Sequence, residues 1–304
     1  MSSASDAAGG DLSDLLAGPA ERVATGASWA EGPVWLADVE QVWFSDIKGN
    51  RILCFDEPTG QLREQVTGAE YSNGRTLDRD GRIVQCSHGR RRVELLHRDG
   101  STTGLVSHVD GSDGSTGAAR LNSPNDVVVA QDGALWFTDP AYGLQSPGEG
   151  HAGDLEYGGC HVFRFDPATG DLHAVITDMT RPNGLAFAPD ESLLYVADSA
   201  RAQGHGPEHG IRIYEVTADH RCVNGRTLAE IDPGVPDGIR VDRHGRIWSS
   251  RADGVVVYAP DGTLLGSTPV PETVANLCPG GADGRSLYLT ATTSLYRLRL
   301  TEPF

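Results

Sequence analysis

NGLAFAPDESLLYVAD, residues 183–198, is the stretch from which the fold is read. The amide residue Asn183 leads a short apolar run, Pro189 to Ser192 make a polar turn, and a second apolar run ends on Asp198. Short apolar runs bounded by Pro and Asp read as buried strands joined by a tight turn. The pattern recurs as EGPVWLADVEQVWFSD from Glu31, NGRTLDRDGRIVQCSH from Asn73 and NDVVVAQDGALWFTD from Asn125. Two further copies are DGIRVDRHGRIWSSR from Asp237 and NLCPGGADGRSLYLTA from Asn276. Successive starts lie 42, 52, 58, 54 and 39 residues apart, the scale of a four-stranded propeller blade.

The spacing predicts an all-β, six-bladed β-propeller over residues 21–304. Further strands follow within most copies, such as GIRIYEV at 210–216 and RTLAEI at 226–231. The sixth copy runs out after SLYRLRL, so its fourth strand is expected from ERVATG at residues 21–26, which would close the ring without an open sheet edge. Residues 1–20 are then expected to be a disordered tail. The runs between strands lack the 3.6-residue periodicity that a βαβ arrangement needs.

Composition narrows the function classes. A net charge of −17 argues against nucleic acid and anionic membrane surfaces as partners. No apolar run reaches the ~18 residues of a membrane span. The first residues lack the basic and apolar regions of a signal peptide. Cys54, Cys86, Cys160, Cys222 and Cys278 are odd in number and widely spaced, without a CxxC pair. They read as reduced, mostly buried thiols, and the expected compartment is the cytoplasm. Oligomeric state stays open.

The residue opening each repeat is Glu31, Asn73, Asn125, Asn183, Asp237 or Asn276, and every one carries a side-chain oxygen. Four of the chain's seven asparagines occupy this one repeat position. The first strand of a blade lines the channel, so these residues converge at one mouth. Carboxylate and amide oxygens are the ligands a hard divalent cation takes, calcium first, with zinc, manganese and magnesium open. The ordinary role of Asn or Asp before Gly is a turn, and Asn73 and Asn276 fit that role as well as the other. A second set, Asp46, His88, Asp139, Asp198 and Arg251, ends the second strands and returns to the same face. These residues are placed to orient the ring residues or to meet substrate. The long segments 106–124, 140–160 and 199–210 are expected to wall this mouth. They carry His108, Tyr142, His151, Tyr157, His205 and His209.

EGPVW, SNGRTLDRDGRIVQCSHGRRRV, SPNDVVV with LWFTDPAYG, RPNGLAFAPDESLLYVADS and PDGIRVDRHGRIW, in this order, resemble the gluconolactonase–regucalcin (senescence marker protein) family from Glu21 to the C-terminus. The resemblance implies one divalent ion held by Glu31, Asn125, Asn183 and Asp237, and hydrolysis of a small-molecule sugar lactone. Paraoxonases and a phosphofluoridate hydrolase share that architecture. The chain departs from the pattern at Ser123, where regucalcin-type enzymes place a substrate-binding Arg, and at Ser87, where Glu is common.

The expected mechanism is attack of a metal-activated water on the ester carbonyl. Asp237 is the expected general base, with Asp198 and His88 as alternatives. Asn73, Ser123, Asp139 and Tyr142 are the candidate substrate contacts. No GxSxG, HExxH or GxxxxGK[ST] motif occurs, and Lys48 is the only lysine. A calcium-dependent phosphotriesterase or arylesterase and a non-catalytic calcium-binding propeller are the rival readings.

Overall fold

The computed structural model describes residue 10, residues 12–110 and residues 118–304. The chain is almost entirely β: six four-stranded antiparallel sheets follow one another along the sequence. Their innermost strands are Ala30–Leu36, Ser72–Leu77, Val127–Val129, Pro182–Phe187, Ile239–Val241 and Val274–Gly280. Each innermost strand touches the next, and the sixth touches the first. This is a closed six-bladed propeller. Glu21–Thr25 completes the sixth sheet by pairing with Ser294–Arg299, with Glu21 opposite Arg297 and Thr25 opposite Ser294. The first and last blades are thus joined in one sheet.

The apolar runs are continuous because each blade is buried on both faces, and period-2 alternation sends successive side chains to different neighbours. In the second strand of blade 1, Val42 and Phe44 pack toward blade 6 while Trp43 packs toward blade 2. In blade 4, Leu194 and Val196 face blade 3 whereas Tyr195 and Ala197 face blade 5. Six separate apolar clusters result, one at every blade boundary. The five cysteines are free thiols, four of them buried and Cys222 half-buried.

Around the channel the backbones come closer than side chains would allow. The amide of Gly74 donates to the Asn125 carbonyl at 2.8 Å, and that of Gly184 to the Asp237 carbonyl at 2.9 Å. A Cβ at either glycine would collide with the backbone of the next blade. Glycine after a ring residue is therefore what lets neighbouring innermost strands seal against each other.

The expected disordered tail needs correction over residues 12–20; residues 1–9 and 11 of it lie outside the described residues. Leu12 is buried with Trp248, Val257 and Leu298 between blades 5 and 6, and Leu15 and Leu16 pack against the same cluster. Ala17 N donates to the Arg299 carbonyl at 2.8 Å, and Thr301 N to that of Leu15 at 3.0 Å. The apolar residues of DLSDLLAG cover an edge of the last blade that would otherwise face water. No helix among the described residues is long and apolar enough to cross a membrane. If this segment is a structural part of the propeller, Leu12→Ala will lower the unfolding free energy by about 2–5 kcal/mol in denaturant titration, as for other buried leucines. An unchanged midpoint would return the segment to the status of a tail.

Candidate functional site

Five of the six repeat-opening residues, Glu31, Asn73, Asn125, Asn183 and Asp237, line one cavity of about 110 Å³ at the mouth of the channel. Larger surface grooves exist, including one of about 420 Å³ beside Asp78 and Asp166. None of the repeat-opening residues lines it, so size does not mark the site here.

Glu31 and Asp237 dominate the electrostatics. Glu31 is buried and Asp237 half-buried, and loss of water around them raises both carboxyl pKa values. Glu31 is pushed up to about 7 by burial and then by the charge of Asp126. Asp237 lies well above the usual carboxylate range through burial, then Glu31, Asp126 and Glu149. Two like charges sharing a dry site cannot both ionise cheaply. Glu31 accepts hydrogen bonds from the Gly32 amide at 2.5 Å and from Asn276 Nδ2 at 3.1 Å, but among the described residues neither acid forms an ion pair.

The amides complete the arrangement. Asn183 Nδ2 donates to Ser199 Oγ at 3.2 Å, and Ser199 Oγ donates onward to the Pro236 carbonyl at 2.5 Å. That leaves the Asn183 oxygen free for the cavity. The Asn125 backbone is fixed by Thr138 and Gly74, and its side chain makes no hydrogen bond among the described residues. Asn276 sits behind the ring with its NH2 toward Glu31, and its oxygen accepts from Leu277 N at 2.8 Å. It therefore positions Glu31. Two neighbouring carboxylates that have no ion-pair partner among the described residues, with two amide groups, suit a hard divalent cation in donor type and in charge. Among the described residues no group of three or more His, Cys, Asp and Glu side chains is arranged to hold a metal ion, so the amides are integral to this donor set.

The acids ending the second strands hold backbone amides. Asp46 accepts from Ser28 N at 2.8 Å and Trp29 N at 2.9 Å. Asp139 accepts from Asn122 N at 2.7 Å, and Asp198 from Thr180 N and Arg181 N, both at 3.2 Å. In each blade the acid clamps the backbone leading into its own ring residue. Asp139 is further held by the Tyr157 hydroxyl at 2.5 Å, with its pKa raised to about 7, chiefly by burial. Neither Asp139 nor Asp198 reaches the cavity. The structure places both behind the cavity wall, holding backbone, rather than at the mouth where a substrate contact and an alternative base were expected.

Ser123 is also spent on structure: its hydroxyl donates to the Pro140 carbonyl at 2.6 Å and accepts from Gly143 N at 3.0 Å. It fixes the start of segment 140–160 and does not line the cavity. Arg251 turns away to Asp253. Tyr142 does line the cavity, and its buried hydroxyl has only Ser199 beside it among the described residues.

His88 stands behind Asn73. Its Nδ1 lies 2.8 Å from the Glu149 carbonyl, which can only accept, so Nδ1 carries the proton and Nε2 accepts from Asn73 Nδ2 at 3.2 Å. Both nitrogens are engaged, which leaves no lone pair for a base. This orientation leaves Asn73 Oδ1 buried and without a partner among the described residues.

Sequence reasoning missed Asp126, Arg75, Arg240, Trp29 and Glu149. Asp126 stands where four other blades carry glycine after the ring residue, which is the signal that could have found it. Arg75 is fully buried, donating to the Gly32 carbonyl and Ser45 Oγ, both at 2.7 Å, and Arg240 faces Asp126 at 3.5 Å. Segments 140–160 and 199–210 supply cavity walls, as expected. Residues 111–117 of the third long segment lie outside the described residues.

These features define a class: a six-bladed propeller whose innermost strands present an oxygen-donor ring at one mouth. The chain belongs to the SMP-30/Gluconolactonase/LRE-like family, whose model matches residues 29–293. It is 31% identical to a gluconolactonase of Zymomonas mobilis over a 304-residue alignment covering 92% of this chain and 81% of that protein. It is 32% identical to pentonolactonase XacC of Haloferax volcanii over 275 residues, covering 88% and 83%. A solved gluconolactonase structure from Xanthomonas campestris superposes with a TM-score of 0.86 at 34% identity, covering 98% of this chain and 99% of that one.

The His88 geometry has a stability consequence. Burial depresses its pKa to about 4 from the ordinary 6.5, so below pH 6.5 the unfolded chain takes up a proton that the folded chain refuses. Stability linked to this residue is present above pH 6.5 and is lost as pH falls toward 4, by about 3 kcal/mol in total. In urea titrations the stability advantage of wild type over His88→Gln should narrow across that window. A constant difference would contradict the assignment of a neutral, doubly bonded His88.

Proposed function

We propose that this protein hydrolyses sugar lactones at a divalent cation, calcium by preference, held by Glu31, Asn125, Asn183 and Asp237. The observation that carries the reading is the convergence on one solvent-reachable cavity of two amides and two carboxylates that have no ion-pair partner among the described residues. The gluconolactonase and pentonolactonase relatives support the substrate class. A cation bound there would polarise the lactone carbonyl and stabilise the negative charge that develops on its oxygen.

The chain's own residues supply the rest. Asp237 lines the cavity, its carboxylate made more basic than usual by burial and by the charge of Glu31, and takes the proton of the attacking water. Glu31 is kept from moving by Gly32 N and Asn276. Asn183 is oriented by Ser199, and Asn73 by His88. Water adds to the acyl carbon, the ring C–O bond breaks, and the product is the open hydroxy acid. The five free thiols fit a reducing compartment, and we place the protein in the cytoplasm.

Acid release from five- and six-membered aldonolactones, above the spontaneous rate, tests the reading. Hydrolysis should vanish with chelator and return with calcium. Absence of acceleration on every lactone by the metal-loaded protein would overturn it. Asp237→Asn should lower kcat by at least about 100-fold; near-normal turnover with metal bound would remove Asp237 as the base.

A further inference from the structure

Segment 140–160 leaves blade 3 and straps across the cavity mouth toward blades 1 and 2. Three contacts hold it there: His151 Nε2 to Glu70 Oε2 at 3.0 Å, Glu156 to Arg91 at 2.8 Å, and the Glu149 carbonyl to His88 at 2.8 Å. On the other side Gln203 Nε2 donates to Ser146 Oγ at 2.8 Å. Glu149 is therefore fixed in place although it belongs to a loop.

Its side chain lines the cavity together with Trp29 and Asn73. Among the described residues the carboxylate accepts no hydrogen bond. It forms a long ion pair with Lys48, whose Nζ stands 3.9 Å away and 4.9 Å from the centre of the Trp29 ring. Burial raises the Glu149 pKa and the Lys48 charge opposes that, so the half-buried carboxylate keeps acceptor capacity toward the cavity. Among the described residues the buried Asn73 Oδ1 of the same cavity has no hydrogen-bond partner, and the Tyr142 hydroxyl has only Ser199 beside it. Acceptor capacity left unused in a cavity wall favours a ligand that brings donors. An aldehyde, a plain ester or an unsubstituted lactone ring brings none, whereas a ring carrying several hydroxyl groups brings one for each.

We propose that Glu149 is a specificity-determining residue of this site: its carboxylate accepts hydroxyl hydrogens of a polyhydroxylated lactone, with Asn73 Oδ1 and the Tyr142 hydroxyl as neighbouring contacts. This rests on the lactonase reading for the identity of the ring and deepens it. Selectivity of this kind is built by a group that is left unpaired when the wrong substrate enters.

The test compares calcium-loaded wild type with Glu149→Gln and Glu149→Ala. The ratio of kcat/KM for glucono-δ-lactone to that for δ-valerolactone should fall about tenfold in Glu149→Gln and further in Glu149→Ala, since a charge-assisted hydrogen bond is lost. A merely structural role would depress both substrates alike and leave the ratio unchanged, which would overturn the proposal. Calorimetric binding of gluconolactam and δ-valerolactam, which are not opened under these conditions, gives a second readout. A preference for gluconolactam that disappears with Glu149 supports the proposal even if wild type hydrolyses neither lactone, an outcome that would sink the lactonase reading alone. A preference that survives both substitutions, or wild type that binds neither lactam, overturns it.

Discussion

Two carboxylates from different blades, the buried Glu31 and the half-buried Asp237, meet at the mouth where the charge of Glu31 raises the proton affinity of Asp237 and that of Asp126 raises both, and the architecture of the mouth follows from that repulsion. Left alone, such a pair would move apart, take up water or stay protonated. The propeller prevents the first. Each acid sits at the head of an innermost strand, and those strands are locked by apolar clusters on both faces of every blade. At Gly74 and Gly184 the ring is tightened further by amide–carbonyl contacts that no side chain would permit. What remains is a site of high negative potential that only a proton or a cation can relieve.

The groups around this pair sort by distance from it. Asn125 and Asn183 share its cavity; Asn276 and His88 stand one step behind and set the orientation of Glu31 and Asn73. Farther out, Asp46, Asp139 and Asp198 tie down the backbone that delivers each ring residue. Asp126, paired with Arg240, lies under the ring, so its charge adds to the field without competing for the cavity. Precision at the mouth thus comes from regular strands and repeated clamps, whereas selectivity is assigned to the strap that carries Glu149.

Much of this was legible in the sequence because a propeller repeats itself. Asn183 and Asn125 share one repeat position, and the residues ending the second strands share another. The missing outer strand of blade 6 pointed to residues 21–26. What the repeats could not convey was the direction of hydrogen bonds. Asp198 and Asp139 were placed on the correct face, but only coordinates reveal that backbone amides claim their carboxylates. Ser123 invited a substrate role because it replaces an expected Arg, yet its hydroxyl is consumed by Pro140 and Gly143. Glu149 lies in a glycine-rich stretch without periodicity, so nothing in its spacing marks it. Leu12 was passed over for the same reason: three leucines in a short polar stretch resemble a tail until the edge they cover is seen.

The central claim is that the ring holds one cation, and calcium titration of metal-stripped protein by calorimetry tests it most directly. The account predicts a stoichiometry of one ion per chain, with affinity reduced at least about tenfold by Glu31→Gln, since a charged ligand is lost at the site. Absence of binding by calcium, manganese, zinc and magnesium alike, or one-to-one binding that Glu31→Gln leaves unchanged, would contradict it.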